Sequence, residues 1–492
     1  MLLKSSRTFD RRFAGRFAAL GVALCTLSLQ SALARADDPP PEDDGATTAS
    51  STAPAAVSGV EIPEAPSPTS PARAALVVPR LGATVVAAPV SGALTVYDRY
   101  QIREQIVDLF FNDARTFGAY PVVAFETGLP VGVGARVVHR DLFGAGGGLR
   151  LAADYGGSSR HRLEGSVSSP SFAAGVLRAR LAGGWLRQPS APFYGIGDQD
   201  LVRPDPTVRD LPGRAPLAVA TSFGQDVVHA VLGVDFDPRG PLFASITTGY
   251  YAREFTESAP GSTVDSGDLG RTDVRFDTAT LTGWGQGTKI SYSELAVGWD
   301  SLATASSFVP AGAPSTGTKV VLFGGVARSI ELAGGGAPVA YTRYGLDGLR
   351  YFDLYNGDRV LILRGRLEGV AGAGDRIPFT DLPRLGGPTL LRGYSRDRLR
   401  DRVTLLASAE YRYPVWQNLA GYLFVDGGSV RAGLSDLGGA VSRPRVGGGG
   451  GLELFISGQF GLRGQVAGSS EGLFFQLALQ PVYRLDAQHY RI

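Results

Sequence analysis

From residue 119 onward, hydrophobic and polar residues alternate with a period of two over stretches of roughly ten residues, the length a tilted membrane strand needs. In Leu149–Tyr155 one face carries Arg150, Ala152 and Asp154, the other Leu149, Leu151, Ala153 and Tyr155. Leu177–Trp185 sets Arg178 and Arg180 opposite Leu177, Ala179, Leu181 and Trp185, and Leu363–Ala371 sets Arg364, Arg366 and Glu368 opposite Leu363, Leu367 and Ala371. In Val403–Tyr413, Thr404, Ser408, Glu410 and Arg412 oppose Val403, Leu405, Ala407, Ala409, Tyr411 and Tyr413. Past residue 36 no apolar run is long enough for a membrane helix, so the chain is a soluble β-protein or a barrel. Charges repeated on the polar face suit a wet lumen. Tyr250, Tyr251, Tyr351, Phe352, Tyr413 and Trp416 near strand ends suit an interfacial girdle. The reading is all-β: a transmembrane antiparallel barrel over 119–485.

Cutting the pattern at turn residues predicts strands at 119–127, 131–140, 147–156, 161–169, 173–187, 217–237, 241–253, 288–300, 317–330, 337–352, 358–371, 402–414, 419–428, 444–457, 459–467 and 472–483. That makes about sixteen, an even number as bacterial single-chain barrels have, with a long loop at 372–401 after the eleventh.

The front end reads differently. Residues 1–36 look like a secretory signal peptide: basic Lys4, Arg7, Arg11, Arg12 and Arg16, an apolar stretch from Phe17 to Leu29, and small-x-small sites at Ala32–Ala34 and Ala34–Ala36. General secretory export follows. Cys25, the one cysteine, lies inside that leader, so the mature chain has no thiol chemistry. Residues 37–97 are rich in Pro, Ala, Ser and Thr and read as a disordered linker. In 98–113, Ile102, Ile106, Leu109 and Phe110 recur at helical spacing and predict a short amphipathic helix.

Charge narrows the function. With 48 basic and 46 acidic residues, the net +2 lacks the basic surplus of a nucleic-acid partner. His139, His161, His229 and His489 are scattered without metal spacing, and no nucleophile elbow, P-loop or dinucleotide fingerprint occurs. We expect no enzyme, no metal and no cofactor. Arg178, Arg180, Arg364, Arg366, Glu368 and Glu410 read as lumen-wall charges.

One stretch is more specific. A Gly-rich loop, Leu385-Gly386-Gly387-Pro388, leads to Leu391-Arg392-Gly393-Tyr394, and Phe424-Val425-Asp426-Gly427-Gly428 follows on a strand whose phase turns Asp426 inward. An arginine entering a barrel must be solvated or paired, and its planar fork suits a carboxylate. Phe424, on the same face as Asp426, is placed to stack on that fork. Gly393 permits a tight turn beside the wall. Arg392, Gly393, Tyr394, Phe424, Asp426 and Gly428 are thus the expected loop-to-barrel latch.

These two motifs, in order and on the expected strands, resemble those of the BamA/TamA superfamily of outer-membrane barrels, the bacterial surface antigen family. Leu391-Arg392-Gly393-Tyr394 departs from the family pattern in having Leu for Val. Phe193-Tyr194-Gly195-Ile196-Gly197 looks like a loop motif of short members, and the resemblance spans about 119–483. Ser470-Glu471-Gly472-Leu473-Phe474-Phe475-Gln476-Leu477 resembles the signal by which such barrels are recognised, which implies a need for the host barrel-assembly machinery. The resemblance implies a lumen-entering loop and a weak seam between the first and last strands, near Pro121 and Pro481, with Gly447–Gly451 as a pliable stretch nearby. It also implies a role in inserting or translocating a protein or lipid client across the outer membrane. The family's periplasmic POTRA domains are not expected, because 37–118 holds too little periodic sequence for one. A passive pore or structural barrel for small solutes is the other reading the residues allow.

Overall fold

The computed structural model describes residues 109–481, except 127–130, 143, 145, 158–159, 203–209, 239, 259–269, 305–313, 331–335, 356, 417–418 and 456–459. The expected leader, the linker and most of the 98–113 helix therefore lie outside the described residues. By Phe111, which bridges Gly118, the backbone is already extended.

Alternation builds one closed antiparallel sheet of sixteen strands in chain order. They are β1 (Phe117–Glu126), β2 (Gly132–His139), β3 (Gly148–Tyr155), β4 (His161–Ser168), β5 (Leu177–Phe193), β6 (Thr221–Phe236), β7 (Leu242–Glu257) and β8 (Thr288–Asp300). There follow β9 (Gly317–Ser329), β10 (Ala340–Tyr355), β11 (Arg359–Ala371), β12 (Val403–Trp416), β13 (Leu419–Arg431), β14 (Arg445–Phe455), β15 (Phe460–Ser469) and β16 (Gly472–Pro481). Each predicted strand has its counterpart. The largest shifts are in two neighbours: β5 runs on to Phe193, and the overlong sixth strand starts only at Thr221, because Ala218–Val219 pairs in parallel with Leu201–Val202 instead.

Outward positions such as Leu163, Leu232, Ile246, Leu322 and Leu473 remain exposed. In water such a belt would be an aggregation surface, whereas in lipid it costs nothing. Among the described residues no helix is long and apolar enough to cross a membrane, so strands do the crossing. Apart from 301–316, the connections at one end are short, while 194–220, 258–287, 372–402 and 432–444 form long connections at the other, the extracellular side in outer-membrane barrels. The expected girdle is partly corrected. Tyr251 and Tyr351 are buried in the lumen, because consecutive strand residues cannot both face lipid.

The wall is uneven. β2, β3 and β4 have 8 residues each, whereas β5 has 17 and β6 has 16. The β5–β6 ladder runs from Leu177↔Phe236 to Phe193↔Thr221. Among the described residues the seam between β1 and β16 registers Ala124↔Ala478, Phe125↔Leu477 and Glu126↔Gln476. Continuing that register brings Pro121 opposite Pro481. Neither has an N–H to donate, and the ladder stops short of them.

Candidate functional site

The loop 372–402 leaves β11 and folds back into the barrel. Arg384–Leu385 pairs with Leu399–Arg400 as a narrow stem. At its tip Leu391 takes φ +58° and Gly393 φ +93°. The left-handed value at Gly393 suits a residue without Cβ, and a Cβ there would lie 2.7 Å from the Gly468 carbonyl oxygen. The turn points both the backbone and the side chain of Arg392 at the wall.

Arg392 and Asp426 meet. Nε of Arg392 donates to Oδ2 of Asp426 at 2.8 Å, and Nη2 donates to Oδ1 at 2.8 Å, a bidentate fork. The Arg392 backbone N–H adds a third bond to Oδ2 at 2.8 Å. Nη1 reaches Glu410 Oε2 at 2.6 Å, and Nη2 reaches Ser408 Oγ at 3.1 Å. Cζ lies 3.6 Å from the centroid of Phe424, so the expected stacking is present. Arg392 is 6% exposed and Asp426 1%. Burial opposes the charge on Arg392, but the Asp426 hydrogen bond and the Glu410 and Asp426 charges outweigh it and raise its pKa.

The remaining latch candidates shape the seat. Tyr394 Oη donates to the Val446 carbonyl at 3.3 Å. Gly428 leaves room for Leu385 and Leu391, which a Cβ there would meet at 3.0 and 3.2 Å. Leu385, Leu391, Tyr394 and Leu399 pack on Leu406 of β12 and Val430 of β13. The Gly447–Gly451 run, expected as a pliable stretch near the seam, makes a close approach possible. A Cβ on Gly447 would lie 1.8 Å from the Arg392 carbonyl oxygen.

The predicted lumen charges divide. Arg364 pairs with Asp347 at 3.0 Å. Arg366 and Arg343 both pair with Glu368. Arg180 pairs with Asp235 at 3.0 Å, while Arg178 is exposed and donates to Ser171 Oγ at 3.2 Å. Glu410 is shared by two arginines, because Arg463 on β15 donates to the same oxygen at 3.1 Å and lies 4.0 Å over Tyr422. Sequence reading did not mark Arg463 or Gln465, whose Nε2 donates to the Pro388 carbonyl at 3.0 Å. Their inward phase on β15 was the available signal.

The Phe193–Gly197 segment also serves the loop. Gly197 N–H donates to the Arg400 carbonyl at 2.7 Å, and Arg398 lies over Tyr194. Just beyond, Asp198 takes Arg431 at 2.8 Å and Arg445 at 2.7 Å, tying the β5–β6 connection to β13 and β14. Beneath the tip, a cavity of about 50 Å³ lined by Arg364, Thr389, Arg392, Glu410 and Arg463 has room for a few waters. Among the described residues no group of His, Cys, Asp or Glu is arranged to hold a metal.

No curated protein matches the chain. Residues 314–467 match the model of the Omp85 superfamily domain. BamA from Haemophilus ducreyi, solved without POTRA domains 1-3, has a similar fold: TM-score 0.50, 14% identity, 74% of this chain and 70% of that one covered. CdiB from Acinetobacter baumannii and CdiB from Escherichia coli align with TM-scores of 0.43 and 0.47 at 14% and 11% identity. Those alignments cover 74% and 73% of this chain, but only 59% and 62% of the two CdiB chains. Residues 314–467, which hold both the loop motif and its partner strand, match the Omp85 superfamily domain, and the sixteen-stranded barrel that contains them has a BamA-like fold.

Proposed function

We propose that this barrel assists the insertion or translocation of a protein or lipid client across the outer membrane. One observation carries the reading: the long loop enters the lumen and its tip is seated there on Asp426 and Glu410. A passive pore needs a continuous wet path wider than its solute. Here Arg364, Arg366, Glu368 and Glu410, which would line that path, are committed to ion pairs. Among the described residues the seam registers three residue pairs and stops short of Pro121 and Pro481, and a client strand or a lipid can engage such an edge. In this reading no side chain does covalent chemistry. The leader sends the chain through the general secretory route, and the host barrel-assembly machinery inserts it.

Single-channel recording in planar bilayers tests the proposal. A small, flickering conductance is the expected result. A large, steady one would replace this reading with a solute pore.

A further inference from the structure

Two of the loop's anchors fall on different strands of the barrel. Its tip is pinned to β12 and β13 through Arg392. Its root, before the stem, is pinned to β7 and β10 by a contact of reversed charge. Here the loop supplies the acid, Asp381, 1% exposed, in a single turn at Phe379–Asp381. Arg253 of β7 ion-pairs with one carboxylate oxygen. Tyr341 of β10 donates to the other at 2.9 Å, and Arg343 of the same strand donates to the Asp381 carbonyl.

Apolar packing repeats the division. Ile377 and Leu382 cluster with Val231, Tyr251, Ile290 and Tyr341 from β6, β7, β8 and β10. Phe379 sits among Phe193, Phe223 and Phe255, with ring centroids at 5.5, 5.2 and 5.1 Å. The apolar contacts of the tip, by contrast, fall on β12 and β13. Each end therefore has its own buried charge pair and its own apolar seat, with the two-residue stem between them.

We propose that the loop is a strut with two independently releasable feet, and that Asp381 is the positioning residue of the second. Breaking the Arg392 contact frees the tip but leaves the root across the lumen. Breaking the Asp381 contact does the reverse. Clearing the lumen takes both, whatever client the barrel serves.

Conductance in planar bilayers reads this directly, with heat-modifiable gel mobility confirming that each variant is folded. The root is removed as the pair Asp381→Asn with Arg253→Gln, so that no buried charge loses its partner. The tip is removed as Arg392→Ala. Each alone should give partial, unsteady opening, and the two together a steady state populated at least about tenfold more than in either. The proposal falls if Arg392→Ala alone opens the barrel as far as the combination, or if the combination conducts no more than Arg392→Ala. Should the root pair fail to fold, Tyr341→Phe, which keeps the Arg253 ion pair, is added to Arg392→Ala. A rise in open time supports the second foot, and no rise overturns it. The recording concerns the strut alone, so a failed client assay would leave it standing.

Discussion

Arg392 and Arg400 belong to the same loop and both are buried, yet the barrel treats them in opposite ways. Arg392 meets two carboxylates and a hydroxyl, and its pKa rises. Arg400 has no carboxylate within ion-pairing distance among the described residues. It donates to the Phe379 carbonyl at 3.1 Å and lies 5.3 and 5.8 Å from the ring centroids of Phe193 and Phe379. Burial pulls its pKa down to about 9, and Arg384 adds to the fall. A charge matched by fixed acids fixes a register. A charge held by a carbonyl and ring faces is mainly a packing element. The tip should therefore be sensitive to charge, and the Arg400 site to volume.

The largest effect should come from Asp426→Ala. It strips the tip of its bidentate partner and leaves Arg392 buried with Glu410 alone. Removing one partner of a buried pair costs about 3–5 kcal/mol, and Glu410 should keep this case near the lower end. Urea unfolding in detergent measures it. A loss below about 1 kcal/mol, the scale of a surface pair, would erase the distinction between the two arginines.

Gly447→Ala should come next, without touching a charge. Its Cβ would collide with the Arg392 carbonyl at 1.8 Å, backbone against backbone, so the loop or β14 must move. Overpacking of this kind costs about 1–3 kcal/mol. Gly365→Ala on β11, where a Cβ meets nothing within 4 Å, is the matched control. Equal midpoints for the two variants would show that the close approach does not matter.

Arg400→Met should cost least of the core changes, within about 1 kcal/mol, because an apolar side chain of similar length can replace an ion that has no carboxylate at pairing distance among the described residues. It also removes a buried Nε that has no acceptor. A loss as large as that of Asp426→Ala would show that Arg400 is specified by charge after all.

The contrast also explains what the sequence could reveal. Strand order, the inward phase of Asp426 and the stacking of Phe424 follow from a period of two, which is local and repeats. The thirteenth strand is expected to end at 428, yet the ladder with β12 carries it on to Arg431. Asp381 could not be found this way. It sits in an irregular segment with no period, and its partners Arg253 and Tyr341 are remote in sequence and chosen by barrel closure alone. The Gly447 run was visible but lacked its reason until the tip was seen to press on it. Tyr251 and Tyr351 were assigned to the wrong side because an aromatic near a strand end suits a girdle and a lumen equally.

The smallest predicted effect concerns the stem between the feet. Arg384 pairs with Asp397 at 2.9 Å, where both side chains are partly exposed. Burial opposes the charge on Asp397, but Arg384, Arg400 and Arg396 outweigh it and hold its pKa below the usual value. A carboxyl depressed in the folded state adds stability above its unfolded pKa of about 3.9, and loses it as pH falls through the folded value. The stem should thus tighten the loop at pH 7 and lose that contribution progressively as pH falls below about 4. Solvent screening at this exposure limits the gain to less than about 1 kcal/mol. Thermal midpoints of the wild type and Asp397→Asn should differ slightly at pH 7, well short of the Asp426→Ala loss, and draw together as pH falls below about 4. If the small gap does not shrink on acidification, the stem is held by its two-residue ladder and not by this charge.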